Sequence, residues 1–268
     1  MKRTLQIANG IALVSTIVIN YLSNTGLING STIGTVSNEL QTLFTPAGYA
    51  FSIWGFIYLL LIGFIFYQGR SLLFTSQKSD DAVLRIGWWF VVSCVANSAW
   101  VFLWLYGYTG MSCIAILLLL FSLMQIIFNC RLELDNESFS HLLFVAWPFV
   151  FYAGWVTVAS IANISAYLFK IKWDGFGISD YNWTIIMIIV AVIINLRAIY
   201  DRNLREFALV GAWALIAIGI RNEDVYHNIR DIAYLGAATL LVNCGIHSYK
   251  QYRKSGNNIY FAFKMKTK

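Results

Sequence analysis

Four long stretches of this chain contain no aspartate, glutamate, lysine or arginine: residues 4–38, 40–69, 86–130 and 138–169. A soluble domain scatters charged side chains over its surface, at about a quarter of its residues. Here they fall to 12% while apolar side chains reach 59%, and mean hydropathy is +0.64. A single soluble domain of this length still presents a large surface that must be acceptable to water. A soluble enzyme, a disordered chain and a disulfide-stapled scaffold are therefore excluded as defaults. The composition belongs to an all-α polytopic membrane protein, whose spans take about 20 residues each.

The charged seams mark where the chain leaves the membrane. The 45 residues from Ile86 to Cys130 suffice for two spans, and Gly107-Tyr108-Thr109-Gly110 at their centre supplies the turn of a tight helical hairpin. The pattern predicts eight spans near residues 5–23, 46–68, 86–106, 111–130, 142–168, 181–199, 207–221 and 231–249. With an inside N-terminus, the 19 basic residues divide 15 to 4 between alternate loops. By the positive-inside rule both termini are then cytoplasmic, and an odd number of spans would lose that partition. The net charge of +6 follows from topology, because the cations are dispersed over membrane-flanking seams and form no nucleic-acid patch. The tail 251–268 mixes Lys and Arg with Tyr252, Tyr260, Phe261 and Phe263, as an interfacial or a solvated cytoplasmic segment would.

The run after Met1-Lys2-Arg3 reads as the first span and not as a leader, since no small-x-small cleavage pattern ends it and a Gly/Asn/Ser/Thr loop follows. That favours a cell (plasma) membrane. Cys94, Cys113, Cys130 and Cys244 form no CxxC and mostly lie in apolar runs, where cysteine packs as a small hydrophobe. His141, His227 and His247 fall near span ends, poorly placed to ligate an intramembrane haem. No metal site or covalent cofactor is expected. The spans also lack the mid-membrane charges that ion-coupled transport requires.

What stands out inside the spans is aromatic. Ten Trp, fifteen Tyr and nineteen Phe exceed the needs of two interfacial belts. Thr45 and Pro46 suit a helix cap and first turn, and Phe51, Trp54 and Tyr58 then fall on one face at i, i+3, i+7. In the third span Asn97, Trp100 and Trp104 repeat that spacing. In the fifth, Trp155, Ala159 and Asn163 fall at i, i+4, i+8. Any one stripe is ordinary bundle packing; three together suggest a shared pocket for a flat ligand, since indole and phenol rings give planar apolar walls with a polar edge.

At these residues the chain resembles the tryptophan-rich sensory protein family, which includes the mitochondrial translocator (peripheral benzodiazepine receptor) protein. Pro46, Phe51, Trp54 and Tyr58 look like counterparts of its second-helix motif, Asn97, Trp100 and Trp104 of its third, and Pro148-Phe149, Trp155, Ala159-Ser160 and Asn163 of its fifth. Order and span numbers agree over about the first 170 residues. The family's first loop carries a Trp and a Lys that Asn38–Leu43 lacks, and three further spans follow the usual five. The resemblance implies a five-helix bundle, often dimeric, that binds porphyrins or other flat hydrophobic ligands such as sterols.

The sequence thus divides into a bundle at 1–170, three added spans at 171–250 and the tail at 251–268. It describes a membrane-embedded binding protein for a small planar hydrophobic ligand, with a sensory, transport or stress-regulatory role. Phe51, Trp54 and Tyr58 form one expected wall and Trp100 and Trp104 the other, with Trp155 beside them. Asn97 and Asn163 are expected as polar anchors or helix clamps, and Phe44 and Pro46 as the lid. The expected partners are membrane lipids, that ligand and a second copy of the chain, not nucleic acid. Two other classes stay open: an integral-membrane enzyme acting on a tetrapyrrole or lipid, for which no nucleophile–base pair or paired carboxylates speak, and a passive transporter or structural subunit.

Overall fold

A computed structural model describes residues 1–73, 82–133 and 138–254. Every regular element in them is helical, in the order α1 (Lys2–Ser23), α2 (Ile33–Glu39), α3 (Ile53–Leu73), α4 (Ala82–Ile86), α5 (Trp89–Leu105), α6 (Thr109–Asn129), α7 (Phe139–His141), α8 (Trp147–Lys170), α9 (Asp180–Arg202), α10 (Arg205–Arg221) and α11 (His227–Lys254). The molecule is an all-α integral-membrane bundle. Six of its helices, Lys2–Ser23, Gly48–Leu72, Thr109–Asn129, Phe139–Lys170, Asp180–Arg202 and His227–Arg253, are long and apolar enough to cross a membrane. The helices α5 and α10 have 17 residues each, about 25 Å at 1.5 Å per residue. α10 is packed deep among neighbours, with only scattered positions at the surface, whereas α5 buries one side and exposes Val95, Ala99 and Phe102 on the other. Of the tail expected at 251–268, the first four residues extend α11 and 255–268 lie outside the described residues.

Successive connections meet at two ends of the bundle. At one, Asn29 Nδ2 donates to the Leu105 carbonyl at 2.8 Å, Lys170 reaches the Gly107 carbonyl, and Arg221 reaches Asn38. At the other, Gln6 bonds Ser71, Asn203 Nδ2 donates to the Glu133 carbonyl at 3.0 Å, and Arg205 bonds Ser248. The α5–α6 hairpin turns at Gly107, whose φ of +75° is the left-handed backbone that glycine tolerates best.

Two local expectations are corrected. Thr45 and Pro46 do not start the second long helix. Thr45 Oγ1 instead accepts from the Thr42 amide at 2.9 Å, closing a turn before it; the chain stays extended through Ala47 and enters α3 by a 3-10 turn at Gly48–Ser52. The polar loop after α1 also contains a helix, α2, capped by Thr32, whose hydroxyl accepts from the Thr35 amide. The entry to α8 carries a local widening to π geometry over Leu142–Ala146. Pro148 accounts for it: proline brings no N–H, and its ring crowds the carbonyl four residues back, at Phe144.

Lipid gives helices no hydrophobic reason to associate, so close packing and interhelical hydrogen bonds hold such a bundle. At Gly154 a Cβ would lie 2.8 Å from the Phe207 carbonyl oxygen, so α8 and α10 touch backbone to backbone there. Neutral amides do the rest. Asn9 donates to Gln68 across α1 and α3, and Asn20 to Asn97 across α1 and α5. One hydrophobic core runs from Phe64 and Phe149 to Ala214 and Ala233.

Candidate functional site

The three aromatic stripes converge. Residues from α2, the segment before α3, α3 itself, α5 and α8 enclose a narrow slot of about 40 Å³, bordered by Pro46, Phe51, Trp54, Trp100, Trp104, Trp155 and Asn163. From α8 it is lined by Val158, Ala159, Ala162 and Ala166, and from the α2 region by Ile33, Ser37 and Leu40. Beside it, between α1, α2 and the start of α3, opens a cleft of about 630 Å³. Ile33, Pro46, Phe51 and Trp54 border both spaces and so form their common wall. The slot holds little more than water at this size, whereas the cleft is in the range of small-molecule sites. No residue lining either space is charged.

Ring geometry fixes the walls. Trp54 stacks on Tyr58 with centroids 5.6 Å apart and planes at 20°, and Trp100 stacks on Trp104 at 6.1 Å and 19°. Trp155 meets Phe51 edge to face at 5.9 Å and Trp54 at 6.4 Å, arrangements that suit the ring quadrupoles. Trp100 is also pinned by its polar edge, since Nε1 donates to Asn163 Oδ1 at 2.7 Å. Trp104 Nε1 donates to the Ile33 carbonyl at 3.3 Å and ties α5 to α2. The indole N–H groups of Trp54 and Trp155 differ: both are buried, and neither has a hydrogen-bond partner.

Not every expected residue borders the cavities. Phe44, expected in the lid, is buried in the hydrophobic core, 1% exposed, and lines neither cavity. Asn97 is wholly buried, accepting from Asn20 Nδ2 at 2.7 Å and donating to the Tyr152 hydroxyl at 2.9 Å. It clamps α1, α5 and α8. Asn163 borders the slot, but its amide is engaged by Trp100, Ser112 and Cys113. Tyr58 lines the cleft and not the slot, and its hydroxyl is buried.

Sequence reasoning missed α1's share, Asn20, Tyr21 and Asn24 on the cleft, and the support that α10 gives the lid. The Ala47 amide donates to the Ala217 carbonyl at 3.0 Å, Trp213 Nε1 to the Ala50 carbonyl at 3.3 Å, and Asn222 Nδ2 to the Leu43 carbonyl at 3.0 Å. A local signal existed only for α1, whose asparagines lie four residues apart on one face. Nothing near Ala217 in sequence points 170 residues back. Among the described residues no group of three or more His, Cys, Asp or Glu is placed to hold a metal ion.

One comparison with known proteins bears on this site. A family model described as TSPO-like protein matches residues 6–246. No curated protein and no protein of solved structure matches.

Proposed function

The chain belongs to the TSPO-like protein family, and from that premise we propose that it binds a small planar hydrophobic ligand, porphyrin- or sterol-like, in service of a sensory, transport or stress-regulatory role. The observation that carries this reading is the pair of buried, unpartnered indole N–H groups, Trp54 and Trp155, in aromatic walls with an uncharged lining. A buried donor left unpaired costs about 1–3 kcal/mol. A ligand with a carbonyl or ring acceptor between them offsets that cost while its faces lie against the rings.

All eight long helices cross the bilayer in this proposal, α5 and α10 being the shortest at 17 residues each. Both termini are cytoplasmic in a cell membrane, and the cleft opens at the opposite face. The first 170 residues hold the ligand, and α9–α11 brace them. A flat ligand enters the cleft first and reaches the slot when the shared wall of Phe51 and Trp54 turns aside. Tryptophan quenching by a porphyrin dimethyl ester and by a sterol, titrated into the purified full-length protein, tests the reading. Saturable quenching that Trp54→Leu weakens several-fold supports it; no saturable quenching by either probe overturns it.

A further inference from the structure

The cleft has an uncharged lining but a cation on its rim. Arg221 closes α10, and its Nη2 donates to Asn38 Oδ1 at 3.2 Å and to Gln41 Oε1. Asn38 itself lines the cleft. Both acceptors are neutral amides. Among the described residues Arg221 makes no ion pair: Glu223 and Asp224, just after it in the chain, and Glu39, beside its partner Asn38, are all exposed and form none with it. A guanidinium carries five N–H donors in a rigid fork, and only one nitrogen is occupied here. A cation held in place by neutral groups keeps its charge available for an incoming anion.

The lining of the cleft includes the aromatic rings of Phe51 and Trp54 and the polar side chains of Asn24, Thr32 and Ser52. An occupant that matches both the rings and the cation is flat and apolar over most of its area and acidic at one edge. We infer that Arg221 is the charge-selecting residue of this cleft, binding a carboxylate on the edge of a flat amphiphile whose rings lie against Phe51 and Trp54. The inference rests on the ligand-binding reading above. It assigns to α10, outside the aromatic bundle, the one feature that separates an acidic ligand from a neutral one of the same shape.

The test uses the full-length protein in a nonionic detergent free of phospholipid, so that the probe is the sole source of an organic anion. Protoporphyrin IX and its dimethyl ester are titrated by tryptophan quenching against wild type, Arg221→Gln and Arg221→Lys. Wild type is expected to prefer the acid. Arg221→Gln should weaken the acid by about three- to tenfold, the range of a partly exposed charge-assisted contact, and leave the ester unchanged, while Arg221→Lys should restore most of the preference. Equal weakening of acid and ester would make Arg221 a clamp for Asn38 and Gln41 only and overturn the inference, as would no change in either. If the ester binds wild type and the acid-to-ester ratio ignores Arg221, the ligand reading stands and this inference falls. If neither probe binds wild type, both fall.

Discussion

Ala47 and Ala217 are joined through their backbones, the amide of the first donating to the carbonyl of the second at 3.0 Å. The bond links the irregular segment that roofs the slot to the last turn and a half of α10. Non-helical backbone near lipid needs protein partners for its N–H and C=O groups, because the bilayer offers none. Trp213 and Asn222 satisfy two more of its carbonyls, and Tyr49 packs edge-on against Trp213 at 5.1 Å. So α10 supplies no lining residue to either cavity, yet it holds this segment in place and, through Arg221, reaches Asn38 at the edge of the cleft.

That arrangement sets the expectation for a chain ended after Lys172. The aromatic stripes and both cavity linings precede that point, so the shortened protein should insert and still quench with a flat probe. Its affinity and melting temperature should both fall, because the roof loses the bonds from Ala217, Trp213 and Asn222 and α8 loses its close neighbour at Gly154. Protein that inserts normally and binds nothing would show that the site needs α10, and the division at residue 170 would fail.

Much of this was legible from the sequence, for a reason that lies in membrane physics. With no water in the hydrocarbon core, charge-free runs report the spans and the three aromatic periodicities report an inward face. Phe51, Trp54, Trp100, Trp104 and Trp155 do share one slot. The misreadings are tertiary. Thr45-Pro46 has the local chemistry of a helix start, yet a bond from Ala217, 170 residues on, holds Ala47 outside the helix. Asn97, expected as a polar anchor or a helix clamp, is not among these misreadings: it meets Asn20 and Tyr152 as a clamp does, although no single-helix pattern encodes which partners on three helices it joins.

The two kinds of tryptophan in the slot should respond differently to one substitution. Trp100→Phe removes an N–H that Asn163 accepts at 2.7 Å in a buried setting, so thermal stability without ligand should drop by about 1–3 kcal/mol. Trp155→Phe removes an N–H that has no acceptor, at a residue 2% exposed. Relief of that unpaired donor should offset most of the lost ring contact, which is of similar size, about 1–3 kcal/mol. Stability should therefore change little while binding of a carbonyl-bearing flat probe weakens several-fold. Thermal melts and quenching titrations on both variants decide it; equal destabilisation with unchanged binding by Trp155→Phe would reduce the stripe to packing.

Orientation is checked by reporter fusions. The loop at Leu27 lies at the same end of the bundle as Gly107, Lys170 and Arg221, opposite the end that gathers Gln6, Glu133 and Ser248. Among the described residues the basic side chains concentrate at the latter end, which in the proposed orientation is the cytoplasmic one by the positive-inside rule. A reporter active only in the cytoplasm should work at the C-terminus and be silent at Leu27. Activity at both sites would break the eight-span arrangement.

The last expectation concerns pH at that same end of the bundle. Glu133 follows α6, outside the membrane-spanning helices, 6% exposed, with neither carboxylate oxygen hydrogen-bonded. Burial, and then the nearby Glu206 carboxylate, push its pKa well above the ordinary glutamate value of 4.5, and Arg205 opposes them only in part. The folded state therefore holds a proton that the unfolded chain releases more readily. An acid shifted this way contributes stability that is fully present below the unfolded pKa and is lost as pH rises through the folded one. Melting temperature should accordingly decline as pH is raised above the ordinary glutamate value of 4.5. Glu133→Gln keeps the shape, leaves the Asn203 bond to the residue 133 carbonyl in place, and cannot ionise. It should flatten that decline and melt higher than wild type at the alkaline end. A variant whose melting temperature tracks the wild-type slope across the series would show that Glu133 releases no proton in this range and that the buried charge is balanced by another group.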